Sequence, residues 1–207
     1  MDYQSLPSPD RIQKTITALQ ARGITVTFVE TKEAALSEIQ NLIPVAASMM
    51  TGASVTLQQI GLEAFLKGGN HPWWNMKAEI LAEKDPVQQA VLRKQSILAE
   101  YYLGSVHAIA ESGEILIASA TGSQLPAYAY SSTHVIWVAG AQKIVPTLED
   151  AFHRLREFVQ PLEDQRLKQI FGPEAKGVIG KILVFERESP MLRRSIHLIL
   201  VNEVLGF

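Results

Sequence analysis

The sequence predicts an α/β protein built on a mainly parallel sheet. Segments rich in β-branched residues, such as residues 24–29, alternate with segments whose apolar residues recur every three or four positions. Helix-start signals stand between them, with Ser8 followed by Pro9 and with Thr31 directly after a strand. Strand, helix, strand, helix with short connections is the sequence form of a parallel sheet covered by helices.

The first third of the chain gives the clearest elements. They are a helix from Ser8 to a stop at Gly23, a strand at 24–29, a helix from Thr31, a strand at 45–50, and a helix from Ser54 to Gly69.

The middle of the chain combines a helix with further strands. Asp85 and Pro86 predict a helix start, and Val87, Val91, Leu98 and Tyr102 would share one face of that helix. Residues 105–110 and 114–119 predict a hairpin, and 133–139 a buried strand. We expect the strands that end near Met50, Ser119 and Ala139 to lie in one sheet.

The last third predicts one long helix, then a short helix and two more strands. A helix begins at Thr147 and should stop before Pro161, because proline disrupts a helix interior. Residues 178–186 and 196–204 have strand character, and we expect them to pair antiparallel with each other.

Composition excludes several classes of protein. The chain has 207 residues, 47% of them hydrophobic and 19% charged, which suits one domain over residues 1–207. A net charge of −2 without large Lys/Arg clusters gives no reason to expect nucleic-acid binding. No apolar run approaches the ~20 residues of a membrane span. The polar start MDYQSLPSPD has no signal-peptide core, so we expect a soluble, cytoplasmic protein that does not bind membranes.

Two polar loops form the candidate ligand site. The first loop (residues 51–54) lies between a strand and a helix, where glycine allows close approach and helix N–H groups favour an anion. Alone, it is equally compatible with Ser54 only capping its helix. The second loop (residues 119–124) is dense in hydroxyls, and parallel strands would bring both loops to one sheet edge. The candidate ligand-binding residues here are Gly52, Ala53, Ser54, Thr56, Thr121, Gly122, Ser123 and Gln124.

Two ionisable residues are further candidates. Lys143 follows a strand end and could meet an anionic ligand, or could be an ordinary surface lysine. Glu111 stands in the hairpin turn, where its carboxylate could reach a pocket rim or simply be solvated. The histidines show no metal-ligand spacing, and the absence of cysteine removes Cys-ligated zinc and cysteine-held iron–sulfur clusters from this chain.

Three linked segments resemble the LUD (lactate-utilisation) domain family. They are TGASVTLQQIGL (51–62), AIAESGEILIAS (108–119) and LPAYAYSSTHVIWVAGAQKIVPTLEDAF (125–152), and the similarity runs over roughly residues 26–158. The resemblance implies a three-layer α/β/α sandwich with a mainly parallel sheet, related to sugar-phosphate isomerases and CoA transferases. The resemblance also implies that the protein works with separate iron–sulfur proteins in the oxidation of L-lactate to pyruvate.

Two functions remain open at this point. In the first, an accessory component binds a small anionic organic ligand and supports L-lactate oxidation with iron–sulfur oxidoreductase subunits. In the second, a stand-alone enzyme of the CoA-transferase or sugar-phosphate isomerase type uses Glu111 as nucleophile or base, since its turn is similar to the glutamate turn of CoA transferases. We favour the first, because no second strong acid or base stands beside Glu111 in the sequence. The sequence names neither the ligand nor a resident cofactor, and it is compatible with a homo-oligomer.

Overall fold

The computed structural model describes residues 2–207, which form two sheets and the helices around them. The strands are β1 (Ile24–Val29), β2 (Ser48–Thr51), β3 (Trp74–Asn75), β4 (Tyr101–Gly104), β5 (Ala108–Ala110), β6 (Ile115–Ser119), β7 (His134–Gly140), β8 (Ile144–Val145), β9 (Lys181–Phe185) and β10 (Ser195–Val201). The helices are α1 (Pro9–Ala21), α2 (Lys32–Leu42), α3 (Val55–Gln59), α4 (Leu62–Lys67), α5 (Met76–Ala82), α6 (Pro86–Gln95), α7 (Leu148–His153) and α8 (Gln160–Phe171).

The main sheet is parallel throughout, in the order β1-β10-β7-β4-β2-β3. The second sheet is mixed, in the order β8-β5-β6-β9, with β5 parallel to β8 and β6 antiparallel to both of its neighbours. Among residues 2–207, no helix is both long and apolar enough to cross a bilayer.

Both faces of the main sheet are buried, as parallel sheets require. On one face, Met49 and Val138 pack with residues of α2, α3 and α4, including Ile39. On the other face, Trp137 packs with Leu19 of α1 and with strands of the second sheet. Helix α7 and the turns after it cover the outer face of the second sheet. The predicted α/β/α sandwich with a mainly parallel sheet is confirmed, and the second sheet adds to it.

The predicted helix starts are confirmed by their hydrogen bonds. Ser8, Thr31 and Ser54 each accept a backbone N–H of the first turn that follows, and Thr147 forms a full capping box with Asp150. These starts depend on neighbours in sequence, which is why the sequence reveals them.

The expected placement of the strand ending at Ser119 is wrong. The hairpin of β5 and β6 is confirmed, but it belongs to the second sheet, whereas the strands ending near Met50 and Ala139 lie in the main sheet. A hairpin connection reverses the chain, so β6 could not join the main sheet as another parallel strand.

The expected pairing of the last two strands is also wrong. Strand β9 pairs with β6, and β10 lies between β1 and β7 in the main sheet. Most of β10 is buried, which fits a central parallel strand better than an added edge hairpin.

Three helix boundaries differ from expectation. Tyr102 lies in β4 rather than on a helix, because α6 ends at Gln95. The helix from Thr147 continues past Pro161 through a π-helical stretch, Arg154–Val159, into α8. Pro161 stands in the first turn of α8, where its missing N–H is tolerated. The predicted third helix is divided at Gly61, whose φ is 84°.

Candidate functional site

The chain crosses from the main sheet to the second sheet twice, and the two crossings lie side by side. Strand β4 continues through residues 105–107 into β5, and β7 continues through residues 141–143 into β8. Strands β4 and β7 are neighbours in the main sheet, as β5 and β8 are in the second. The carboxyl ends of two parallel strands therefore meet where the sheets join.

Lys143 ties the two crossings together. Its Nζ lies 3.0 Å from the Oγ of Ser105, 3.0 Å from the carbonyl oxygen of Val106 and 3.0 Å from the Oγ1 of Thr56 at the start of α3. The side chain is almost fully buried, with 1% of the residue exposed. The structure therefore excludes the hypothesis that Lys143 is an ordinary surface lysine.

No carboxylate compensates Lys143. None of the ion pairs within residues 2–207 includes it. Burial holds the pKa of Lys143 well below its usual value, and the nearby Arg154 guanidinium lowers it further. The amine is therefore biased toward its neutral form.

Arg154 is a second buried cation behind the same crossing. It is 0% exposed, its Nη1 donates to the carbonyl oxygen of His107, and its guanidinium carbon lies 5.1 Å from the centre of the Phe158 ring. Burial lowers its pKa to about 10, so it remains protonated at neutral pH. Arg154 thus adds positive charge close to both Lys143 and His107.

His107 is a neutral side chain with a defined tautomer. Its Nδ1 accepts the backbone N–H of Ala118 at 3.1 Å, which leaves the ring proton on Nε2. Burial lowers the pKa of His107 to about 3, with further contributions from Lys143 and Arg154. The ring can therefore donate one hydrogen bond without carrying charge.

A cleft of about 680 Å³ opens above this floor. Both candidate loops line it, together with Ser105, His107 and Lys143. Helices α5 and α6 contribute Lys77 and Arg93 to the lining. Helix α8 and the segment that follows it line the cleft as well. A volume of this size is typical of small-molecule sites.

The second loop is held in shape by its own hydrogen bonds. The Oγ of Ser119 accepts the N–H of Gly122 at 2.8 Å and donates to Gln124 at 2.8 Å, while Thr121 bonds to Ser123 at 3.1 Å. The loop is thus shaped by these bonds before a ligand arrives.

The structure brings most of the predicted ligand residues into one cleft. Gly52, Ala53, Ser54, Thr56, Thr121, Ser123, Gln124 and Lys143 all line it. Gly122 is not among the lining residues, and a Cβ there would lie 2.4 Å from the side chain of Lys181. The loops belong to different sheets, so they meet across the junction of the sheets rather than along one edge.

Glu111 lies away from the cleft. It stands four residues beyond His107 at the far end of β5, ~13 Å away at the usual rise of a strand. Its carboxylate bonds to Arg11 at 2.7 Å and Lys14 at 3.3 Å on α1. Burial raises the pKa of Glu111, but these two hydrogen bonds outweigh it and hold the pKa below its usual value.

The segment after β10 contributes Phe207 to the lining of the cleft and is held beside Thr56 by hydrogen bonds. Gly206 donates its N–H to Gln59 at 2.6 Å, and Gln142 donates to the carbonyl oxygen of Leu205 at 2.9 Å. A Cβ on Gly206 would lie 2.2 Å from the Oγ1 of Thr56, so only glycine fits there without a shift. Sequence reasoning missed this segment, and it also missed Ser105 and the role of His107.

One sequence feature could have pointed to Ser105. A small residue follows the last glycine of both crossing strands, as Ser105 after Gly104 and as Ala141 after Gly140. Within the described residues, no group of three or more His, Asp or Glu side chains is arranged to hold a metal ion.

Comparison with known proteins agrees with this architecture. The family model described as the LUD domain matches residues 12–201. A solved structure of a DUF162 family protein from Deinococcus radiodurans is similar, with a TM-score of 0.57 and 11% sequence identity, over 96% of this chain and 100% of that chain. At this identity the structural likeness supports the fold alone. Comparison with curated proteins gave no significant match.

Proposed function

Because this chain belongs to the LUD domain family, a family associated with lactate utilisation, we propose that it binds a small organic anion in the cleft between its sheets. In this proposal it is an accessory component of L-lactate oxidation, and the electron-transfer centres belong to separate iron–sulfur subunits. The absence of cysteine supports that division, since this chain offers no thiolate to hold a cluster.

The observation that carries the proposal is the charge of the cleft. Besides Lys143, which is biased toward its neutral form, four cationic residues line it against two carboxylates; the residues are Lys77, Arg93, Arg166 and Lys176, against Glu63 and Glu163. Lys77 and Arg166 pair with those carboxylates at 3.8 Å and 2.7 Å, so Arg93 and Lys176 keep no carboxylate partner within residues 2–207. A partly enclosed cleft with surplus positive charge favours an anion over a neutral or cationic ligand.

The polar loops suit the same ligand. Hydroxyl groups and a glycine turn can take the oxygens of a carboxylate or a phosphate, and the shaped second loop lowers the entropy cost of binding. Glu111 has no part in the proposal, because its carboxylate is already paired with α1 and lies outside the cleft.

Thermal unfolding in the presence of L-lactate, pyruvate or inorganic phosphate tests the proposal. A bound anion at about 100 times its Kd stabilises the protein by about 2.7 kcal/mol, which should raise Tm by about 5–10 °C for a chain of this size. Arg93→Gln should reduce that shift, because Arg93 lines the cleft. Lys94→Gln is the matched control, since Lys94 is the next residue, carries the same charge and is not among the lining residues.

The two variants distinguish binding in the cleft from a general effect of charge. Equal losses of the shift in Arg93→Gln and Lys94→Gln would point to general charge screening rather than to the cleft. No shift with any of these anions would contradict the proposed ligand class. The accessory role is tested by deletion of the gene, which should abolish growth on L-lactate and be rescued by the wild-type chain.

A further inference from the structure

The hydroxyl of Ser105 and the amine of Lys143 lie within hydrogen-bond distance of each other in the cleft. Binding of an anion does not require such a pair. The Oγ of Ser105 lies 3.0 Å from Nζ of Lys143, and both residues line the cleft. Ser105 is only partly buried, whereas Lys143 lies beneath it. A ligand in the cleft would therefore reach the hydroxyl before the amine.

The Nζ of Lys143 lies 3.0 Å from each of three oxygen atoms, those of Ser105 Oγ, Thr56 Oγ1 and the Val106 carbonyl. A neutral amine has two N–H groups and one lone pair, so it can donate to Val106 and Thr56 and accept the hydroxyl proton of Ser105. Thr56 then donates to the carbonyl oxygen of Leu205 at 3.5 Å. The Ser105 hydroxyl also lies 3.1 Å from Thr56 Oγ1 and can donate there instead, so activation of Ser105 requires the network in which its proton points to Lys143.

We propose that Ser105 is a nucleophile and Lys143 its general base, so that the cleft performs acyl transfer on an ester or thioester of a small carboxylic acid. A hydroxyl bonded to a neutral lysine is an arrangement by which serine is activated in other folds. The anionic character of the acyl group rests on the proposed function above, but the activation of Ser105 does not.

The reaction balances with water as the only co-reactant. The hydroxyl oxygen of Ser105 adds to the carbonyl carbon, and its proton passes to Lys143. The bond to the leaving group then breaks, and the leaving alkoxide or thiolate takes that proton. Water attacks the acyl group on Ser105 in the same way, so that the carboxylic acid is released and Ser105 is restored.

His107 is placed to assist this reaction. It lines the same cleft two residues beyond Ser105, and its proton is on Nε2 because Nδ1 accepts from Ala118. A neutral donor can bond the carbonyl oxygen as negative charge develops there, while Arg154 stabilises that charge from behind.

Acylation by p-nitrophenyl acetate tests the nucleophile without knowledge of the natural substrate. Mass spectrometry of the quenched wild-type protein should show one acetyl group, and peptide mapping should place it on Ser105. Ser105→Ala and Lys143→Met should each lose that adduct, whereas Ser37→Ala, which removes an exposed hydroxyl of α2 outside the cleft, should keep it. An unlabelled Ser105 in the wild type, or labelling that survives Lys143→Met, would overturn the proposal.

A second experiment does not depend on the folding of Lys143→Met. The chain has no cysteine, so Ser105→Cys and Ser123→Cys each carry a single thiol. Lys143 should stabilise the thiolate at position 105. The pH midpoint for alkylation of this cysteine by iodoacetamide should therefore lie about one unit or more below the midpoint for a cysteine at position 123. That difference corresponds to a tenfold or larger difference in thiolate fraction at low pH. A midpoint at 105 equal to or above that at 123 would refute the role of Lys143.

These results are independent of the test for anion binding. The ester probe is neutral, so acylation of Ser105 can occur even if no anion stabilises the protein. Conversely, a Tm shift with lactate or pyruvate and no adduct would support the binding role and refute the nucleophile.

Discussion

Replacing His107 with asparagine should make the protein less sensitive to acid. Burial lowers the pKa of His107 to about 3 in the folded protein, whereas an unfolded chain has a histidine pKa near 6.5. Well above pH 6.5 the ring is neutral in both states and contributes no pH dependence. Below pH 6.5 the histidine binds a proton in the unfolded state but not in the folded state. The folded state therefore loses stability as the pH falls toward 3.

The size of the effect follows from that difference. At pH 5 the preferential protonation of the unfolded chain costs about 2 kcal/mol, whereas at pH 7 it costs about 0.2 kcal/mol. Asparagine keeps an acceptor near the position of Nδ1, which accepts from Ala118, but it does not titrate. The stability difference between wild type and His107→Asn should therefore shift by about 2 kcal/mol in favour of the variant between pH 7 and pH 5.

Urea denaturation at pH 7, 6 and 5 measures this shift directly. His153→Asn is the control, because His153 is exposed and its bond to Glu157 raises the pKa instead of lowering it. That variant should not flatten the pH dependence. A parallel change of wild type and His107→Asn with pH would show that His107 accepts a proton in the folded state, and would remove its role as a neutral donor.

Three further predictions concern backbone positions and Glu111. Gly52→Val should reduce the anion-induced Tm shift while Gly52→Ala keeps it, because a Cβ there lies 3.5 Å from the Tyr128 hydroxyl and leaves room for one methyl group only. A tenfold loss of affinity would take about 3–6 °C from the shift in a thermal-shift assay, and equal shifts in both variants would contradict the argument. Gly140→Ala should lower the free energy of unfolding in urea by about 1–3 kcal/mol, because its Cβ would lie 2.4 Å from the carbonyl oxygen of Glu203; a change below about 0.5 kcal/mol would be the contrary result. Incubation with an acyl-CoA should leave no adduct on Glu111 by mass spectrometry, because this carboxylate is ion-paired; an adduct that Glu111→Gln removes would instead establish the CoA-transferase alternative.

Local structure was predictable because its causes lie within a few residues. The caps at Ser8, Thr31 and Thr147 each bond to the amide three positions away, so a short stretch of sequence contains both partners. Strand pairing has no such local cause. The residues around β10 give no indication that it lies between β1 and β7, because both of these strands are distant from it in the chain.

The candidate site was likewise predictable only in part. The two loops could be found because glycine and hydroxyl residues after a strand suit ligand binding in any parallel sheet. The environment of Lys143 could not be found, because it depends on Thr56 and on Ser105, which are 87 and 38 positions away. The sequence around Lys143 was therefore equally compatible with a surface lysine.

The second sheet explains why the site is a cleft rather than an open sheet edge. In an ordinary parallel sheet the carboxyl ends of the strands face solvent, and a lysine there would be hydrated. Here β4 and β7 continue into β5 and β8, so the ends of two central strands are covered and the ammonium group loses its water. Burial of a lysine without a carboxylate costs stability, and such costs are characteristic of functional sites. The topology that hides the site from sequence analysis thus also lowers the pKa of Lys143.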